Sequence, residues 1–145
     1  MILRAASLAI ALLLAAGCRG GEVSDEDLIE RFIKDVTGDD DEAYVARALG
    51  YVDMERVPID VRVPRQAGLY EADRAPELIG SFKRAMEQRF YGTEIKLRSD
   101  KYEINGDSAD VRLGLMTAVG PLSADIGLRK TGPGSWKVSR VHVEP

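Results

Sequence analysis

The stretch Asn105-Gly106-Asp107-Ser108-Ala109-Asp110-Val111-Arg112-Leu113-Gly114-Leu115 decides the fold. Asn-Gly beside an alternating run is the strongest short signal for a β-hairpin, because both residues tolerate the positive φ of tight two-residue turns. After it, Ala109, Val111, Leu113 and Leu115 alternate with Asp110, Arg112 and Gly114. A period of two puts the first set on one face of a strand and the second on the other. One face suits a core and the other suits water, as in an antiparallel sheet.

The same pattern continues towards the C-terminus. Gly120-Pro121 turns the chain into Leu122, Ala124, Ile126 and Leu128, and Thr131-Gly132-Pro133-Gly134-Ser135 turns it again. Trp136 and Val138 then share one parity, while Val141 and Val143 have the other. A one-residue shift flips every side chain. Either both faces of this strand are buried, or a bulge lies near Ser139-Arg140 and bends the sheet. Before the hairpin, Ile95 and Leu97 start a strand that Tyr102 and Ile104 end or continue past a bulge.

The preceding chain reads as helices. Ser24 is an N-cap and Asp27 stands where a capping-box acid belongs. Leu28, Ile29, Phe32, Ile33 and Val36 recur at helical spacing, so a first helix is expected from about Asp25 to Val36. Asp39-Asp40-Asp41-Glu42 opens a second helix with Tyr44, Val45, Ala48 and Leu49 on its buried stripe, ended by Gly50. The alternation of Val57, Ile59, Val61 and Val63 gives a short strand; Pro58 and Pro64 make it an edge strand or an extended loop. Asp73 and Pro76 suit the start of a long third helix with Leu78, Ile79, Phe82, Ala85, Met86 and Phe90 on one face, ended at Gly92. Helices first and a strand meander last argue for an α+β fold, with N-terminal helices packed on a curved antiparallel sheet of about four strands.

Two stretches carry a resemblance. Phe32-Ile33-Lys34-Asp35-Val36-Thr37-Gly38-Asp39 is similar to the first helix and following turn of the nuclear transport factor 2-like and cystatin-like superfamily. Gly106-Asp107-Ser108-Ala109-Asp110-Val111, with Gly134-Ser135-Trp136-Lys137-Val138-Ser139-Arg140-Val141, resembles strands common in small lipoproteins of that cone-shaped fold. These are turn and core positions, so the resemblance implies a fold and no activity. Tyr51 to Arg56, Glu87 to Tyr91 and Trp136 to Glu144 are similar in order to the periplasmic phospholipid-binding proteins of toluene-tolerance-type transport systems. That resemblance implies acyl chains held between helices and a curved sheet. This chain is shorter and has Arg140 where those proteins carry an Asp.

The start of the chain has its own chemistry. A basic Met1 to Arg4 precedes an apolar run, Ala5 to Ala16, of about 12 residues. That is too short to cross a ~30 Å hydrocarbon layer as a helix. It has the three parts of a secretory signal peptide, residues 1–17. Leu14-Ala15-Ala16-Gly17-Cys18 resembles a lipobox, although that family usually has Leu where Ala15 stands. The resemblance implies that the thiol of Cys18, the sole cysteine, carries a diacylglycerol; the plainer alternative is an ordinary signal with a stray cysteine. Arg19 follows, not the Asp that retains enterobacterial lipoproteins in the inner membrane, so the expected place is the periplasmic side of the outer membrane. Residues 18–23, with Gly20-Gly21, would form a tether and residues 24–145 one α+β domain.

Composition narrows the function. Removing residues 1–17 of 145 leaves 128, and the loss of Arg4 takes the net charge from −4 to −5. With no basic stripe, nucleic acid is not an expected partner. One histidine and no spare thiol leave no set for a soft or imidazole-rich metal site, and no cofactor is expected. Asp39 to Glu42 lacks the spacing of a calcium loop and reads as a charged helix start.

Two residues invite a catalytic reading. His142 could act as a general base, but Val141 and Val143 should face the core and turn it outward. Asp53 could sit at the mouth of the cone near tyrosines, or simply cap a loop. The expectation is therefore a non-catalytic, membrane-anchored module that binds a protein partner or a small apolar ligand. Its candidate lining is Phe82, Met86, Phe90, Leu113, Leu115 and Trp136. The same residues would make a plain core, since a helix stripe facing a sheet is how such cores are built. A phospholipid carrier, or a small enzyme using Asp53 or His142, are the alternatives.

Overall fold

A computed structural model describes residues 23–37, 42–63, 72–80, 96–117 and 120–145. Helix α1 (Asp25–Thr37) starts where the capping pattern places it, with Asp27 N donating to Ser24 Oγ at 3.2 Å. Three acids in its first turn lie at the positive end of the helix dipole. Helix α2 (Glu42–Leu49) follows, and Gly50 N closes its last turn on Ala46 O at 3.0 Å. Residues 75–80 are also helical.

The strands are β1 (Asp60–Val63), β2 (Ala72–Arg74), β3 (Lys96–Asn105), β4 (Ser108–Thr117), β5 (Gly120–Gly132) and β6 (Ser135–Glu144). They form one curved, unclosed sheet in the order β2-β1-β6-β5-β4-β3. The α+β class and the antiparallel meander β3 to β6 are as the alternation indicates. The sheet is larger than the four expected strands, because β1 lies parallel to β6 and β2 pairs antiparallel with β1. Of the Val57 to Val63 stretch only Asp60–Val63 is strand, and it lies second from the edge, not at it. Pro58 falls before the paired residues, so neither ladder loses a donor to it.

The parity break in β6 is a bulge. Gly127 pairs with Arg140 and Leu128 with Val138, which leaves Ser139 as the extra residue. Trp136 and Val138 before it, and Val141 and Val143 after it, all join the core with α1. A second irregularity, between Leu97 and Ser99 in β3, leaves Arg98 as the extra residue and makes β3 one continuous strand.

The core lies between α1 and one face of β3 to β6. Ile29, Phe32 and Ile33 of the helix pack with Val111, Leu113, Leu128 and Trp136. Burying one such side chain contributes about 1.5–3 kcal/mol, so this one helix face holds α1 against the sheet. A second cluster joins Val61 and Val63 of β1 to Ala75 at the start of the helical residues 75–80.

Candidate functional site

The helix-facing side of the sheet differs at its two ends. At the end carrying the β3–β4 and β5–β6 turns it is closed. Trp136 is 4% exposed, and its Nε1 donates to Asp25 Oδ1 at 3.2 Å. Lys130 Nζ donates to both oxygens of the same carboxylate at 3.0 and 3.1 Å, and stands 5.9 Å from the Trp136 ring centre. The Lys130 hydrogen bond, opposed by burial and aided by Trp136, holds the Asp25 carboxyl below its ordinary value of 3.8.

The other end carries an apolar row. Leu97, Leu115 and Leu122 are in register across β3, β4 and β5. Their exposure grades from 6% at Leu122, through half-buried Leu115, to 38% at Leu97. Leu97 is one of three exposed large apolar side chains among the described residues, with Val23 and Met54, and the one that continues a buried row. Leu113, one pair further in, is 2% exposed and belongs to the core with Phe32.

Of the expected lining residues, Leu113, Leu115 and Trp136 share one sheet face, but Trp136 pairs with Lys130 at the closed end and Leu115 with Leu122 at the other, so the three do not line one site. Phe82, Met86 and Phe90 lie outside the described residues, as do Cys18 and Asp39 to Asp41. In the sequence Leu97 and Leu122 read only as strand residues. What could have found them is register, since only the β3–β4 and β4–β5 pairings align them with Leu115.

Asp53 stands in the turn after α2. Its carbonyl accepts from Val57 N at 2.8 Å, Oδ1 accepts a long bond from Arg56 N at 3.4 Å, and Oδ2 lies 3.8 Å from Arg56 Nε. It is a loop cap. The tyrosine that follows α2 looks elsewhere: Tyr51 Oη donates to Asp35 Oδ2 at 2.5 Å, and its ring meets Phe32 edge-on at 4.9 Å. Burial, then the hydrogen bond to the Asp35 carboxylate, pushes the Tyr51 phenol well above its ordinary value of 10. Tyr102 Oη donates to Glu30 Oε1 at 3.1 Å. These pairings dock α1 onto the loop and sheet.

His142 lies on the sheet face away from α1. Its neighbours Val141 and Val143 take the core side, and its Nε2 is 2.8 Å from Asp60 Oδ2 on β1. On the same face Arg140 donates through Nη2 to Asp110 Oδ1 at 2.6 Å and to Asp125 Oδ1 at 2.9 Å. It lies across Gly127, where an added Cβ would come within 3.1 Å of Arg140 Cβ and Nη1. Both acids hold its charge firmly on. Among the described residues no group of three or more metal-ligating side chains occurs.

Solved structures share this fold. A protein of Shewanella frigidimarina provisionally named a ketosteroid isomerase is 15% identical, covering 86% of this chain and 98% of its own, with a TM-score of 0.57. A nuclear transport factor 2-like protein of unknown function from Shewanella baltica is 13% identical over 83% of this chain and 92% of its own, at 0.57. A protein of unknown function with a cystatin-like fold from Nostoc punctiforme is 15% identical over 86% and 96%, at 0.53. No protein-family model matches the chain and no curated protein matches it. The fold is thus nuclear transport factor 2-like, or cystatin-like. At these identities the likeness carries no activity with it.

Proposed function

We propose that the protein is a lipid-anchored, non-catalytic module that holds a small apolar ligand at the open end of the space between its helices and its sheet. The observation that carries this reading is the Leu97–Leu115–Leu122 row, apolar and increasingly exposed towards β3. Small-molecule sites are mostly apolar and concave, with a few polar groups to orient the ligand. The two candidate catalytic residues support the same reading. Asp53 is occupied as a turn cap, and His142 is on the opposite sheet face, tied to Asp60. Attachment through an acylated Cys18 to the periplasmic face of the outer membrane completes the reading, on the strength of the residues around that cysteine.

The test is native mass spectrometry of a Cys18→Ser form. An apolar small molecule should co-purify and be displaced when Leu115 is replaced by Asp. A stoichiometric phospholipid would favour the carrier reading instead. An empty protein that captures no apolar probe would sink both. Replacing Asp53 by Asn and His142 by Gln together should leave ligand capture unchanged.

A further inference from the structure

Two hairpin turns and the start of α1 meet at one end of the sheet. The β3–β4 hairpin turns at Gly106-Asp107 and the β5–β6 hairpin at Pro133-Gly134. They lie side by side, since Lys130 N donates to Asp107 O at 2.8 Å. The Asp25 carboxylate, held by Lys130 and Trp136, pins the first turn of α1 to the same end. The last pair of β4 and β5, Thr117 with Gly120, is at the other end with the leucine row. From Lys130 to Gly120 is ten residues of β5, about 33 Å at ~3.3 Å per residue.

The geometry points to a polarity on the membrane: the start of α1 and the hairpin end lie on the bilayer side, and the Leu97–Leu115–Leu122 end is the far end. This rests on reading Cys18 as the lipid anchor. Five residues, Arg19 to Val23, lie between Cys18 and Ser24, which makes six backbone steps. Even fully extended they reach only ~20 Å. With the leucine end pointed at the bilayer, the start of α1 would stand about 33 Å above it, beyond that reach.

The chemistry of the near end fits contact with headgroups and not insertion. Asn105, Asp107, Ser108, Pro133 and Gly134 are exposed and carry no bulky apolar side chain. Shallow insertion needs apolar area to bury, and Val23, 44% exposed beside Ser24, offers a single side chain, too little to anchor the end by itself. The acids of the first turn, Asp25 to Asp27, give an anionic surface nothing to attract. Exposed Arg129, paired with Ser108, is a cation set among the acids of this end, so the tether sets the orientation and salt should change it little. One consequence concerns supply: a ligand reaches the leucine row from the aqueous side, not by direct uptake from the anchoring bilayer.

The test uses the full chain, recovered from membranes and placed in vesicles of phosphatidylethanolamine and phosphatidylglycerol. Single variants Asp107→Cys, Pro133→Cys and Pro121→Cys receive a thiol-reactive fluorophore, because an acylated Cys18 leaves no other thiol to label. A quencher attached to lipid headgroups should dim the labels at 107 and 133 several-fold more than the label at 121, at low and high salt alike. Equal dimming at all three positions, as in a domain lying on its side, would overturn the orientation, as would stronger dimming at 121. The two near-end variants check each other against local misfolding of one turn. The mass of the Cys18 fragment separates the two failures: an acylated fragment with the wrong quenching pattern refutes the orientation alone, and a bare thiol refutes the anchor and the orientation with it.

Discussion

Trp136 Nε1 donates a hydrogen bond to Asp25 Oδ1 across 111 residues of sequence, tying the last strand to the first turn of the first helix. Lys130 adds two contacts to the same carboxylate. Because Asp25 titrates below its ordinary 3.8, the stability it contributes is full above that value and is lost as pH falls through its lowered one. Asp25→Asn should lower the melting temperature near neutral pH and make little difference in strong acid. Thermal melts of both proteins from neutral to about pH 2 check this.

Tyr51 carries the opposite sign. Its phenol is raised, so its contribution is full below the ordinary value of 10 and is lost only as pH climbs through the higher one. In an alkaline titration followed by phenolate absorbance, Tyr51 should contribute a late component; Tyr102 is raised too, by its hydrogen bond to Glu30. Tyr51→Phe should remove that late component, and the edge-on packing against Phe32 should survive it.

The two ends of the leucine face should respond differently to truncation. Leu113→Ala, in the closed core, should cost about 2–5 kcal/mol in chemical denaturation. Leu97→Ala, at the open rim, should cost less than about 1 kcal/mol. Equal costs would mean that Leu97 is core after all.

Deleting Ser139 tests the bulge. Without it, Trp136 and Val138 could keep the core side only by turning Val141 and Val143 to water. The deletion should abolish cooperative unfolding, whereas Ser139→Ala should be tolerated.

Much of this fold is legible in the sequence, and the reason is period. The alternation from Ala109 to Leu128 specifies strands, and the parity break between Val138 and Val141 narrows the last strand to a bulge or burial on both faces, without reference to anything distant; the β5 pairing decides for the bulge. Ser24 and Asp27 mark the start of α1 equally locally. What is not legible depends on pairing across long separations. Ala72 to Arg74 is three residues long and becomes a strand only because β1 offers it an edge. The parallel seating of β1 on β6 brings Asp60 to His142, which no local pattern announces. The site divides in the same way. Leu113 and Leu115 stand out in an alternating strand, but Leu97 becomes their neighbour only after the Arg98 bulge resets the register of β3.

The most direct test of the account is a titration of an environment-sensitive apolar fluorophore into the Cys18→Ser protein, repeated with Leu97→Gln and with Arg112→Gln on the opposite sheet face. Binding should saturate, weaken about tenfold with Leu97→Gln, equivalent to about 1.4 kcal/mol, and stay unchanged with Arg112→Gln. Binding indifferent to Leu97→Gln, or lost only with Arg112→Gln, would contradict it.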